Sequence, residues 1–115
     1  MMSVKLNSRE SDDVTVIDIS GRISLGEGSG VIRDTVRDLT TRGNRKILLN
    51  LRDVGYIDSS GIGELVSCFT LAANAGGKLK LLSLNKRVRE LLQMTGLYTV
   101  FDVHEEEADA VRSFK

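Results

Sequence analysis

The sequence contains no proline and no tryptophan, and it has one cysteine and one histidine among 115 residues. The single cysteine, Cys68, cannot form an intramolecular disulfide, and the first residues lack the apolar stretch of a secretory signal, so we expect a reducing, cytoplasmic setting. No apolar run approaches the roughly 18 residues that a membrane helix needs, so no membrane-spanning segment is expected. Sixteen basic residues balance sixteen acidic ones, which disfavours direct binding to nucleic acid.

The residues that usually carry catalysis or hold metal ions are also scarce. One histidine, His104, and one cysteine give no metal-ligand spacing, so we interpret His104 as a surface residue and Cys68 as a packed small hydrophobe. The glycine-rich segment 26–30 matches neither phosphate-loop pattern and lacks the required lysine. We interpret it as a connection, with a partner-docking loop as the alternative. The sequence therefore predicts no cofactor, no metal site and no enzyme activity, and it disfavours a nucleotide-binding enzyme.

Short strand-like segments alternate with segments of helical period, a pattern that is typical of an α/β fold. The size and composition fit one domain over residues 1–115. The nearly continuous apolar run 47–51 predicts a central strand that is covered on both faces. The first two strands are expected to pair as a hairpin through residues 11–13. The predicted strands are 4–8, 14–19, 47–51, 79–82 and 100–103.

Four helices are predicted between and after these strands. The second is expected to end at Gly76-Gly77, the third to begin after Asn85 as its N-cap, and the fourth to begin near Glu105. Apolar residues at helical spacing are expected to turn the first two helices toward the sheet. These residues are Val31, Ile32, Val36 and Leu39 in the first helix, and Ile62, Leu65, Val66, Phe69 and Ala73 in the second.

The segment Asp58-Ser59-Ser60-Gly61 lies between the central strand and the second helix, where functional residues are often found. Asp and Ser are preferred N-caps, so the residues alone favour capping. The alternative is that a phosphate on an exposed hydroxyl would meet free backbone N–H groups and a favourable helix dipole. A serine nucleophile is disfavoured, because the segment is not Gly-x-Ser-x-Gly and the chain offers no good base.

The block from Ile47 to Leu97 resembles the STAS domain of bacterial anti-sigma-factor antagonists. The matching residues are ILLNLRDVGYIDSSGIGELVS and GGKLKLLSLNKRVRELLQMTGL. In that family an apolar strand leads into Asp-Ser-Ser/Thr-Gly-Leu-Gly and a helix, followed by a Gly-Gly turn, a strand and a second helix. The resemblance implies the STAS fold, a small mixed sheet of about five strands with about four helices, in which the first strand lies at an edge.

The resemblance also implies a regulatory switch. The unmodified protein would bind a serine-kinase anti-sigma factor and so release a sigma factor. The kinase would phosphorylate Ser59, with Ser60 as the alternative acceptor, and a serine phosphatase would reverse the step. Gly61 and Gly63 would let the partner approach closely. The implied partner-binding residues are Ser24, Asp58, Ser59, Ser60, Gly61, Ile62, Gly63 and Glu64.

One segment departs from the family pattern. Many antagonists carry Gly-Glu-Leu-Asp after the second strand, whereas this chain has Gly21-Arg22-Ile23-Ser24. If this region helps to choose the partner, the cognate kinase should differ from that of other members. The alternative function is a STAS scaffold subunit of a lipid-transport or other signalling complex without sigma control. The neighbouring genes would distinguish the two functions, because a kinase or phosphatase gene favours the regulatory switch and transporter genes favour the scaffold subunit.

Overall fold

A computed structural model describes residues 4–24 and 29–115. Most of the glycine-rich segment, residues 25–28, lies outside the described residues. The described chain forms one five-stranded sheet in which each strand neighbours the next in sequence. The strands are β1 (Val4–Ser11), β2 (Val14–Ile23), β3 (Lys46–Ile57), β4 (Lys78–Leu82) and β5 (Val103–His104).

The sheet is mixed, as predicted. β1 lies at an edge and pairs antiparallel with β2 through a tight turn, in which Asp12 adopts a φ of 55° that Asp tolerates better than most residues. The other neighbouring strands pair in parallel. β3 therefore lies in the centre, which confirms the prediction for residues 47–51.

Four helices connect or follow the strands within the described residues. The N-cap prediction for Asn85 is confirmed, because its side-chain oxygen accepts a 2.8 Å hydrogen bond from the Val88 N–H. None of the described helices combines the length and the apolar character needed to cross a membrane. The helices are α1 (Ser29–Thr41), α2 (Ser59–Asn74), α3 (Lys86–Met94) and α4 (Glu107–Arg112).

Apolar residues cover the sheet on both faces. The larger cluster joins one face to α1, α2 and α3 and includes Ile47 and Leu49 of β3. A smaller cluster on the other face joins Leu48 to Val111 and Phe114 near the end of the chain. These three β3 residues have no exposed surface, so the apolar run in the central strand serves two cores rather than one.

Two predictions about the elements are wrong in part. The last strand was predicted over 100–103 but spans only Val103–His104, because a turn precedes it in which the Val100 N–H donates to the Leu97 carbonyl at 3.0 Å. In α2, Val66 is 37% exposed and Ala73 is exposed, whereas both were predicted to face the sheet. Ile62 and Leu65 are buried as predicted, and the buried face also includes Gly61, Cys68 and Ala72, whose small side chains let the helix pack closely.

A cluster of charged residues links β1 and β2 to α4, which covers the face of the sheet that carries the smaller apolar cluster. The Arg9 guanidinium donates to Asp18 at 2.7 and 3.1 Å and to Glu107 at 2.9 and 2.6 Å. The hydrogen bonds from Arg9 hold the pKa values of both carboxyl groups below their ordinary range and raise the pKa of Arg9 itself. Glu107, in the acidic first turn of α4, is thus committed to this cluster and is only partly exposed.

We expect Arg9→Gln to lower the free energy of unfolding by about 1 kcal/mol at pH 7, because the ion pairs are about one-third exposed and partly screened. The folded-state pKa values of Asp18 and Glu107 lie below their ordinary values of 3.8 and 4.5. Their contribution is therefore present above those values and is lost as the pH falls through the lower folded-state values. The stability difference between wild type and variant should shrink on acidification.

Urea denaturation at pH 7, 5 and 3 measures this difference. Arg37→Gln is the matched control, because it removes an exposed arginine whose ion pair with Asp34 lies within α1. A stability difference for Arg9→Gln that stayed constant between pH 7 and pH 3 would contradict the assignment.

Candidate functional site

The candidate site lies at the carboxyl ends of β2 and β3, where α2 begins. Asp58 is the N-cap of α2, and its Oδ1 accepts a 2.9 Å hydrogen bond from the Gly61 N–H. Its carbonyl accepts the first helical hydrogen bond, from the Ile62 N–H at 2.9 Å, and its own N–H donates to the Ile23 carbonyl at 3.4 Å. Asp58 thus joins both strands to the helix, so capping is performed by the aspartate and not by a serine.

Ser59 and Ser60 form the start of α2, and both are exposed. Neither hydroxyl makes a hydrogen bond with the described residues. The backbone N–H groups of both serines lie in the first turn of α2, where the helix itself provides no acceptor for them. Within the described part of the chain, this helix start therefore presents two hydroxyl groups without a hydrogen-bond partner, beside backbone donors without an acceptor and the positive end of the helix dipole.

Gly61 and Gly63 have different surroundings. A Cβ atom on Gly61 would lie 2.1 Å from the Ile23 carbonyl oxygen and 2.6 Å from a side-chain carbon of Ile57. On Gly63 it would meet nothing within 4 Å. Gly61 is therefore required for packing of α2 against the strand ends, which differs from the predicted role in partner approach. Gly63 leaves an open, exposed position on the helix.

The next two predicted site residues turn inward. Ile62 is 6% exposed and belongs to the larger core. Glu64 is also 6% exposed, and its carboxylate accepts hydrogen bonds from the backbone N–H and the guanidinium of Arg33 in α1, at 3.2 and 3.4 Å. Glu64 therefore holds α1 against α2 and does not present its carboxylate to solvent. A contribution of either side chain to binding would be indirect.

Ser24 is brought to the same end of the sheet by an irregular stretch of β2. The β2–β3 register shifts between Asp18 and Ser20 and again between Gly21 and Arg22. Gly21 has a φ of 105°, which glycine adopts without strain. Ser24 follows Ile23, the residue that bonds to Asp58, and is half-buried. The structure therefore places Ser24 beside the start of α2.

An exposed stripe runs along α2 from this start. It consists of Ser59, Gly63, Val66 and Thr70, which are all exposed and lie at helical spacing. Val66 is an exposed large hydrophobic residue in this stripe, next to the open surface at Gly63. The sequence analysis placed Val66 in the core, although its spacing of seven residues from Ser59 indicates a shared face. We call these four residues the α2 stripe.

A second group of side chains surrounds Tyr56, near the end of β3. The Arg22 guanidinium carbon lies 4.4 Å from the centroid of the Tyr56 ring, and that of Arg87 in α3 lies 5.7 Å from it. We call these three residues the arginine cluster. A groove of about 400 Å³ borders it and is also lined by Asp58 and Met94, the latter 83% exposed. The sequence gives no spacing signal for this group, because it joins three separate elements.

The remaining candidate residues behave as packing or surface groups. Cys68 is fully buried, and burial raises the pKa of its thiol to about 12, so it packs as a small hydrophobe as predicted. His104 Nε2 lies 3.1 Å from Asp102 at the edge of the sheet and is partly buried, so it is less exposed than predicted. The described part of the chain contains no cluster of three or more His, Cys, Asp or Glu residues that could hold a metal ion.

A STAS domain family model matches residues 5–110, so the chain belongs to the STAS domain family. The anti-sigma-B factor antagonist of Bacillus subtilis is 29% identical to it over 102 residues, which are 89% of this chain and 92% of that protein. An anti-sigma factor antagonist from Mycobacterium paratuberculosis has the same fold, with a TM-score of 0.85, 18% identity, and coverage of 97% of this chain and 94% of that one.

The Bacillus cell fate determinant SpoIIAA, whose structure is known in its phosphorylated form, is also similar in fold. Its TM-score is 0.73 at 19% identity, and the match covers 96% of this chain and all of SpoIIAA. These similarities confirm the STAS fold and the family that the sequence resembles.

We expect Gly61→Ala and Gly63→Ala to have opposite effects on stability. The new methyl group at Gly61 would overlap the backbone of Ile23, so the variant should lose about 3 kcal/mol, the upper end of the usual cost of overpacking. At Gly63 the methyl group meets nothing, and the better helix propensity of alanine should add up to about 1 kcal/mol. Thermal and urea denaturation of both variants measure the difference. Equal changes would show that α2 does not pack on Ile23 as described.

Proposed function

We propose that this protein is an anti-sigma-factor antagonist that is regulated by phosphorylation of Ser59. The unphosphorylated protein, acting as a single cytoplasmic domain over residues 1–115, binds a serine-kinase anti-sigma factor and thereby releases a sigma factor. The kinase phosphorylates Ser59 with ATP, and a serine phosphatase removes the phosphate. The protein is then a ligand and a substrate of these enzymes and has no catalytic activity itself.

The observation that carries this proposal is the exposed hydroxyl of Ser59 at the start of α2, next to an aspartate that already caps the helix. Membership in the STAS family supports it, as does the similarity to an anti-sigma-B factor antagonist. A phosphorylated form is known for SpoIIAA, which has the same fold.

Phosphorylation would act on binding more than on folding. A phosphate adds about 1.5 to 2 negative charges, which the unpaired N–H groups and the dipole at the start of α2 can accept. At a partner interface the same charge must lose water. If it meets a carboxylate about 4 Å away, the repulsion is about 4 kcal/mol per pair of unit charges at an effective dielectric constant of 20. That energy corresponds to about a thousandfold in affinity.

We therefore expect Ser59→Asp to weaken binding to the cognate kinase by up to about a thousandfold while the melting temperature changes little. Ser59→Ala should bind like the wild type but accept no phosphate. Calorimetric titration of the kinase with each variant, together with thermal denaturation, measures both properties. The control is Thr99→Asp, which places the same charge at an exposed residue outside α2. Loss of folding in Ser59→Asp, or unchanged binding, would contradict the switch.

The acceptor is identified by incubating the protein with the kinase and ATP, followed by mass spectrometry of its peptides. We expect the phosphate on Ser59, and Ser59→Ala should abolish incorporation while Ser60→Ala should not. Phosphate on Ser60, or on neither serine, would overturn the assignment of Ser59.

The α2 stripe is the proposed docking surface, so Gly63→Leu should weaken kinase binding more than folding. A Cβ atom at this exposed helix position would meet nothing within 4 Å, and leucine has a better helix propensity than glycine, so stability should be retained. Gly63→Ala is the small-side-chain control and should bind nearly as well as the wild type. An equal loss of stability and binding in Gly63→Leu would assign this glycine a purely structural role.

A further inference from the structure

The arginine cluster brings two positive charges to one aromatic ring. The guanidinium carbons of Arg22 and Arg87 both lie within 6 Å of the Tyr56 ring centroid, and both arginines are exposed. Cation–π contacts at exposed sites contribute only about 0.5 to 1 kcal/mol each. An anion beside either guanidinium group would stabilise the cluster further.

No such anion is provided by the residues that the structure describes. Neither Arg22 nor Arg87 forms an ion pair within them, whereas Arg37, Arg42 and Arg112 each pair with an aspartate three or four residues earlier in the chain. Two carboxylates line the same groove, Asp58 and Glu90. The Asp58 carboxylate is used in capping α2, and Glu90 forms no ion pair with Arg87 although it lies one turn away. Among the described residues, no carboxylate therefore occupies the guanidinium donors of the cluster.

We propose that the arginine cluster binds an acidic side chain of the partner protein and thereby helps to select that partner. The guanidinium fork matches a carboxylate in a bidentate geometry. Tyr56 and the exposed Met94 supply apolar surface for the methylene groups that carry this carboxylate. This inference rests on the proposed function, because the groove includes Asp58 and so adjoins Ser59 and the α2 stripe.

The difference between this sequence and the family pattern at Arg22 also favours an acidic residue on the partner. Where many antagonists carry the glutamate of Gly-Glu-Leu-Asp, this chain carries Arg22, so the sign of the charge is reversed at this position. A partner that presents a basic residue there would meet two guanidinium groups, and like charges placed together at an interface oppose binding. A partner with an aspartate or glutamate would be favoured.

The test uses the full chain and the kinase-type anti-sigma factors encoded in the same genome, each as a purified protein. We expect Arg22→Gln and Arg87→Gln each to weaken binding to the cognate kinase by about tenfold at low salt, mainly through a slower association rate. The difference from wild type should shrink in high salt. Arg45→Gln is the matched control, because it removes an exposed arginine at the opposite end of β3, and it should bind like the wild type.

Unchanged binding by both cluster variants, with wild-type binding intact, would overturn the inference and leave the proposed function standing. Charge reversal provides a second test of the inference. Arg22→Glu should lose binding, and replacement of one acidic interface residue of the kinase by arginine should restore it. Failure of every such replacement to restore binding would also overturn the inference.

If the wild type binds none of the kinases, the proposed function fails and a peptide probe decides the inference independently. In a nuclear magnetic resonance titration, hexaglutamate should shift the side-chain Nε–H signals of Arg22 and Arg87, and hexalysine should not. The double variant Arg22→Gln/Arg87→Gln should retain no charge-selective shift in this groove. No shift in the wild type, or equal shifts with inorganic phosphate at the same ionic strength, would overturn the assignment to a carboxylate.

Discussion

The close approach of α2 to the end of β2 is the constraint on which the candidate site depends. The helix can begin where it does because Gly61 has no side chain to collide with the Ile23 carbonyl, which also accepts a hydrogen bond from Asp58. That contact fixes the direction of α2 relative to the sheet. It therefore decides which residues of the helix are buried and which form the α2 stripe. It also brings Ser24, which follows Ile23, next to the start of the helix.

The elements with strong local signals could be predicted from the sequence. The apolar run at residues 47–51 predicted a central strand, because a segment without polar alternation has to be covered on both faces. Asn85 was recognised as an N-cap because its side chain satisfies a backbone donor within its own helix. These features depend on neighbours in the sequence, so local chemistry is sufficient to predict them.

The features that failed depend on packing between distant segments. The predicted face of α2 was derived from hydrophobicity, but the buried face is set by close packing at Gly61, Cys68 and Ala72, which leaves Val66 exposed. Glu64 is buried because Arg33 lies beside it, 31 residues earlier in the chain. The arginine cluster likewise combines three elements that only the fold brings together. Of the site, the sequence predicted the position of the serines but not the surface around them.

Different residues in the first turns of α2 cap the helix, carry the exposed hydroxyl groups and pack against α1. This separation explains how a charge at Ser59 could regulate binding without unfolding the protein. Asp58 satisfies the helix start, so a modification of Ser59 breaks no hydrogen bond among the described residues. Glu64, the next acidic residue along the helix, is paired with Arg33, and the positive charge of Arg33 offsets part of its repulsion of a new negative charge. The cost of added charge would then fall on the exposed surface, where a partner would have to cover it. A folded domain with these properties can change its affinity for a partner while its own stability is nearly unchanged.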